Sequence, residues 1–225
     1  MAVQDELRSI FRDPADHGGL GGIDRLLRRS QVRNLPGVNR HVAEQLLKGE
    51  QAYTLHRPAR RRDVRNRTYV AGIDGQWQAD LADMQAIARQ NKGARYLLTV
   101  IDVFSKFAWV APVKSKDAAT VTKAFQQILA SVASRHPRQL QTDKGKEFFN
   151  SKFASVIKRH NIQHFASESD QNAAVVERFN RIINTRIWTY LSDRGTVCWI
   201  DVIQKLMDAY NASRHRPIGM APAEV

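Results

Sequence analysis

The spacing of apolar residues along this chain changes character once, near residue 69. Before that point the pattern is helical. Val3, Leu7, Ile10 and Phe11 recur at three- and four-residue intervals and predict a helix over residues 2–11, stopped by Asp13-Pro14. A glycine-rich break at residues 18–22 follows. Ile23, Leu26 and Leu27 then mark a second helix over 23–32. Pro36-Gly37 makes a turn, and Val38, Val42, Leu46 and Leu47 mark a third over 38–48, with Gly49 placed for a C-terminal cap. Beyond residue 69 the period shortens. Residues 77–84 alternate as a strand does, residues 96–103 form a continuous apolar run of the kind covered on both faces, and 107–113 read as a third strand. A helix over 117–134, a strand ending at Asp143, a helix over 151–160, a strand over 162–166, a long helix over 173–191 and a last helix over 199–212 complete the series. Strands that alternate with helices in this order predict an α/β layer architecture with a mixed five-stranded sheet.

The division suggested by the pattern is a helical, helix-turn-helix-like module at 1–50, a basic linker at 51–69 and an α/β core at 70–225. A tight turn before the third helix would allow Arg40, His41 and Gln45 to enter a major groove; a small bundle used only for packing or dimerisation fits the same pattern. Residues 57–67 carry six arginines, among them Arg60, Arg61 and Arg62. Such a run suits a phosphate-backbone clamp and is compatible with a nuclear-import signal.

Bulk composition sharpens this picture. The 225 residues include 35 Lys plus Arg against 22 Asp plus Glu, a formal charge of +13, which points to a polyanionic partner, nucleic acid foremost. No run approaches a membrane span and the N-terminus lacks a basic-then-apolar signal pattern, so a soluble protein with no membrane partner is expected. The single cysteine, Cys198, excludes an internal disulfide and fits a reducing, intracellular setting. His17, His41 and His56 have no cysteine near them, so no two-His, two-Cys zinc site is expected.

The chemistry-bearing residues are acidic. Asp143 closes a short strand and is followed at once by Lys144-Gly145-Lys146, the position at which α/β folds tend to place reactive side chains. Asp80 sits on the first strand and Glu177 on the long helix. On that helix Val176, Phe179, Ile183, Ile187 and Tyr190 form an apolar stripe, while Glu177, Arg181, Asn184 and Trp188 share the adjacent face. Taken alone, Glu177 and Arg181 would equally make a plain surface ion pair. Asp83 falls on the opposite strand face from Asp80, and Asp102 reads as structural. No Ser-His-Asp arrangement and no glycine-rich nucleotide loop is present: the cluster at 18–22 follows no strand and lacks Lys-Ser/Thr.

Four blocks in order, Trp77-Gln78-Ala79-Asp80-Leu81, the run from Leu97 to Lys106, Gln141-Thr142-Asp143-Lys144-Gly145-Lys146-Glu147-Phe148, and Val176-Glu177-Arg178-Phe179-Asn180-Arg181, resemble the landmarks of the retroviral-type integrase core, as does the tail with Tyr210-Asn211, His215 and Pro222-Ala223-Glu224-Val225. The likeness is nearest to integrases of Maverick/Polinton and Ginger-type transposons. It implies an RNase H-like fold with Asp80, Asp143 and Glu177 as an acidic triad, although the 33 residues between the last two are slightly fewer than is typical of retroviral members. It also implies metal-dependent phosphoryl transfer that trims element ends and joins their 3′-hydroxyls to target DNA. Two Mg²⁺ or Mn²⁺ ions would serve, since hard cations take oxygen ligands and no zinc is needed. Double-stranded DNA, a dimeric or tetrameric assembly and a nuclear location follow from the same likeness. Lys144, Lys146 and Arg181, with Arg40 and the linker arginines, are the expected DNA contacts. A domesticated, catalytically silent DNA-binding protein and an RNase H-type nuclease are the alternatives.

Overall fold

The computed structural model describes residues 2–56, 69–132, 135–166 and 173–225. The linker residues 57–67, including Arg60, Arg61 and Arg62, and the loop residues Ser167 and Ser169 lie outside the described residues. Two compact units are present: Arg62–Arg181 together with Val225, and Met1–Arg61 together with Ile182–Glu224. The composition-based division into 1–50, 51–69 and 70–225 follows the chain; the compact units instead group residues 182–224 with the N-terminal helices.

The first of these units is a five-stranded mixed sheet flanked by helices, the layer architecture that the hydrophobic pattern predicts. The strands are β1 (Gln76–Asp83), β2 (Tyr96–Asp102), β3 (Ala108–Val113), β4 (Gln139–Thr142) and β5 (Gln163–Ala166), arranged in the order β3-β2-β1-β4-β5. β1 to β3 form an antiparallel meander; β4 and β5 add in parallel. Parallel pairs need crossover connections, which the helices at Ala118–Ser131 and Ser151–Arg159 supply. Both helices start where their sequence offers a cap: the side chains of Asp117 and Asn150 accept the backbone N–H groups of Thr120 and Phe153. The core lies between sheet and helices. Trp77, Leu98, Val100, Phe125, Leu140 and Phe153 are among its buried members, and the Phe153 ring sits 5.2 Å from Phe125 and 5.5 Å from Phe148. Each such buried ring contributes about 1.5–3 kcal/mol.

Asp102 proves structural, as its sequence setting suggests. It is wholly buried at the end of β2, accepts the Ser105 backbone N–H and hydroxyl, and pairs with Arg135 at 3.0 Å. Arg135 also holds Asp74 at 2.9 Å and lies over the rings of Phe107 and Trp109.

In the second unit, three helices, α1 (Ala2–Arg12), α2 (Ile23–Val32) and α3 (Arg40–Gly49), close around Leu7, Ile10, Phe11, Leu26, Ala43, Leu46 and Leu47. Arg8 and Arg12 both reach the buried carboxylate of Glu50. Arg12 also pairs with Asp193.

The pattern-based boundaries need four adjustments. Gly49 is the last helical residue, not a left-handed cap; Glu50 follows in extended conformation and a short helix, Gln51–Leu55, begins at once. That helix occupies the start of the segment read as linker. A 3-10 helix at Gln85–Gln90 replaces part of the expected loop. The long helix, Ala174–Arg194, runs three residues further than expected and ends at Gly195, whose φ of +58° suits a residue without Cβ. The final helix is shorter, Ile203–Asn211. No helix among the described residues is long and apolar enough to cross a membrane.

Asp102→Ala leaves the Ser105 N–H and hydroxyl without their acceptor, whereas Arg135 keeps Asp74. It is expected to lower the unfolding free energy by about 1–3 kcal/mol, read from the urea midpoint.

Candidate active site

Three elements of the sheet unit carry the predicted acids. Asp80 lies within β1, opposite Thr99 of β2. Asp143 is the first residue after β4, the strand that pairs with β1 in parallel. Glu177 occupies the first turn of the long helix. The fold brings them together: Asp143 and Glu177 both act electrostatically on Asp80. Asp80 is partly buried, whereas Asp143 and Glu177 are exposed.

Burial is the main cause that pushes the Asp80 carboxyl above its ordinary range. The Leu81 backbone N–H opposes this by donating to it; the negative charges of Asp143 and Glu177 add to it, and the Lys116 ammonium weakly offsets them. The smaller share of the rise that comes from Asp143 and Glu177 reflects negative charge gathered near Asp80. That is the condition a hard divalent cation relieves, and three carboxylates are a donor set that suits one. Among the described residues, however, no three His, Cys, Asp or Glu side chains form a group arranged to hold a metal ion. The hydrogen bonds account for this. One Asp80 oxygen accepts the Leu81 N–H at 2.7 Å and the other accepts the Asn180 side-chain amide at 2.7 Å, while Asp143 accepts the Gly145 N–H. The donor set fits; a metal would require these side chains to turn.

Sequence reasoning missed Asn180 as a partner of Asp80. It lies three residues beyond Glu177, the spacing that puts two helical residues on one face. Its other side-chain atom, Oδ1, is buried without a hydrogen-bond partner. Also missed was a buried amide layer under the acids. Gln78 Oε1 accepts the backbone N–H groups of Val175 and Val176 at 3.1 and 2.9 Å, and the Gln141 Oε1 accepts Nε2 of both Gln76 and Gln78. Gln76, Gln78 and Asp80 alternate along one face of β1, but that spacing alone does not show that a helix end and a second glutamine meet them.

The expected DNA contacts are scattered. Lys144 and Lys146 are exposed in the turn after Asp143, and Arg181 is exposed one turn past Glu177. Arg40 is engaged with Asp24 at 2.6 Å in the helical unit. His164 of β5 stacks on Phe149 and bonds to the hydroxyl of Thr142, the residue just before Asp143; burial lowers its imidazole below its usual value.

Residues 72–171 match the family model described as integrase core domain. Among curated proteins, a transposon-derived protein of Caenorhabditis elegans is 31% identical over 63% of this chain and 49% of its own length. The Pro-Pol polyprotein of simian foamy virus type 1 is 31% identical over 55% of this chain and 10% of that protein. The chain thus spans about half of the first relative and about a tenth of the second. Among solved structures, the HTLV-2 integrase catalytic core domain in complex with magnesium superposes with a TM-score of 0.58 at 22% identity, covering 70% of this chain and 99% of that one. A chain in the structure of the simian T-cell lymphotropic virus intasome in complex with the PP2A regulatory subunit B56 gamma gives 0.61 at 18% identity over 91% of this chain and 70% of that one. The sheet unit thus has the fold of the integrase catalytic core, and this chain is similar in sequence to transposon and retroviral proteins.

The raised Asp80 carboxyl has a stability consequence. The native state binds the proton more tightly than the unfolded chain, so stability falls as pH rises through the interval from about 4 to the folded value. Asp80→Asn is expected to raise the urea midpoint at pH 7, with the gain disappearing below pH of about 4, where Asp80 is protonated in both states.

Proposed function

We propose that this chain is a member of the integrase core family and acts as a DNA integrase or transposase, trimming the ends of a mobile element and joining the freed 3′-hydroxyls to target DNA. The observation that carries the reading is the convergence of Asp80, Asp143 and Glu177 from a strand, a strand end and a helix, the first two within residues 72–171 that match the integrase core domain and the third just beyond them. Asp80, Asp143 and Glu177 would hold divalent cations, Mg²⁺ or Mn²⁺, two in number. Such cations, when bound, activate the attacking hydroxyl and neutralise charge at the leaving oxygen. Asn180, now bonded to Asp80, would steady that carboxylate as its oxygens turn. Lys144, Lys146 and Arg181 would take phosphate oxygens beside the reacting bond, and Arg40 with Arg60, Arg61 and Arg62 would add contacts to the duplex backbone.

The finer parts of the reading rest on the sequence, through its pattern, its composition and its likeness. They are the affinity with Maverick/Polinton and Ginger transposon integrases, the three-part domain division, a homo-oligomer that joins two ends, double-stranded DNA as both element end and target, no requirement for zinc, and a nuclear location. One observation favours a second reading, a domesticated DNA-binding protein that no longer catalyses: the acids are not grouped around a cation position.

Asp143→Asn decides between them. Wild-type protein is expected to join a 3′-hydroxyl end to plasmid DNA in Mg²⁺, and the variant to lose joining by about 10³-fold or more with duplex affinity unchanged, because removal of a group acting in the transition state lowers turnover without weakening binding. Retained joining in the variant sinks the triad. Calorimetric titration of wild-type protein with Mg²⁺ that gives no carboxylate-dependent binding selects the second reading.

A further inference from the structure

The long helix starts after an alanine, whose side chain has no acceptor to offer. The Glu177 N–H bonds to the carbonyl of Ala173, which makes Ala173 the N-cap and Val175 and Val176 the second and third helical residues. Those two N–H groups are the ones an N-cap side chain normally satisfies, and alanine has no oxygen to offer. The acceptor comes instead from another element. Gln78 of β1, fully buried, points its Oε1 at both N–H groups. Its Nε2 is fixed in turn by Gln141 of β4, the residue directly paired with it across the parallel ladder, at 2.8 Å. Gln141 also accepts from Gln76 at 2.7 Å. Gln78 lies two residues before Asp80, Gln141 two before Asp143, and Val176 immediately before Glu177. One buried amide layer therefore ties together the three elements that bear the three acids.

We infer that Gln78 is a positioning residue: it binds the first turn of the long helix to β1 and so sets the distance of Glu177 from Asp80. This rests on the integrase reading above. An ordinary cap would order the helix end without tethering it to the strand. Gln78 does both through one oxygen, and its side chain cannot rotate away because Gln141 holds the amide nitrogen.

The experiment separates the two roles. Gln78→Met conserves volume and removes the acceptor. Adding Ala173→Ser to it gives the helix a cap of its own without restoring the link to β1. Gln78→Met is expected to speed amide hydrogen exchange at Val175 and Val176 by about 5- to 30-fold, to weaken Mn²⁺ binding measured calorimetrically by about 10- to 100-fold, and to lower kcat for end joining with KM for DNA unchanged. In the double variant, slow exchange at Val175 and Val176 is expected to return while Mn²⁺ affinity and kcat stay low. Recovery of all three by Ala173→Ser overturns the positioning role and leaves Gln78 a cap. So does a Gln78→Met protein with wild-type Mn²⁺ affinity and kcat. Failure of the integrase reading looks different: wild-type protein that neither binds Mn²⁺ nor joins ends, while Gln78→Met still loosens the two amides, overturns the catalytic placement and leaves the helix clamp standing. Gln78→Glu, which keeps an acceptor oxygen, guards against misfolding of the first variant. Slow exchange at both amides in it supports the clamp, and fast exchange in a folded Gln78→Glu protein counts against it.

Discussion

The parallel pairing of β1 with β4 is the constraint on which the site depends. It joins segments more than sixty residues apart, with Gln78 opposite Gln141. Asp80 and Asp143 each stand two residues further along, so the register that aligns the amides also brings the acids to the same level on one face. A slip of one residue would send the whole set of side chains on β4 to the other side of the sheet. The apolar residues between, Trp77 and Leu140, are wholly buried and lock that register from the opposite face. Core packing and site geometry are in this sense one specification.

The repulsion among the acids is the second force at work. Three carboxylates in one place cost free energy in the absence of a cation, and the chain meets part of that cost with hydrogen bonds from Leu81, Asn180 and Gly145. The arrangement is a compromise: the donors that quiet the acids also occupy oxygens that a cation would need. Under the proposed function, such a site would exchange protein hydrogen bonds for metal ligation, and its affinity for cations would be the difference of two large terms.

Much of this was legible in the sequence. The five strands, their order along the chain and the helices between them follow from the change of hydrophobic period, because buried strands and amphipathic helices leave different spacings. The acids stood out because each sits in a distinctive block. What escaped were features that no local spacing encodes. Gln78 reads as an unremarkable polar strand residue until the fold places a helix end above it, and Ala173 gives no sign that its helix is capped from elsewhere. The short helix at Gln51–Leu55 and the 3-10 turn at Gln85–Gln90 were hidden because segments of five or six residues carry too few turns to show a period. Gly49 misled for a related reason: a glycine after a helical run usually leaves the helix, and here the chain turned one residue later, at Glu50, which Arg8 and Arg12 hold in place.

The layer beneath the acids is made of glutamine, and its chemistry has a consequence of its own. A primary amide neither gains nor loses a proton at any pH the folded protein meets. Acidification that neutralises the carboxylates therefore leaves their foundation with the same donors, the same acceptors and the same shape. A scaffold of lysine–glutamate pairs would have titrated along with what it supports; this one keeps its form, so a return to neutral pH finds the acids where they were.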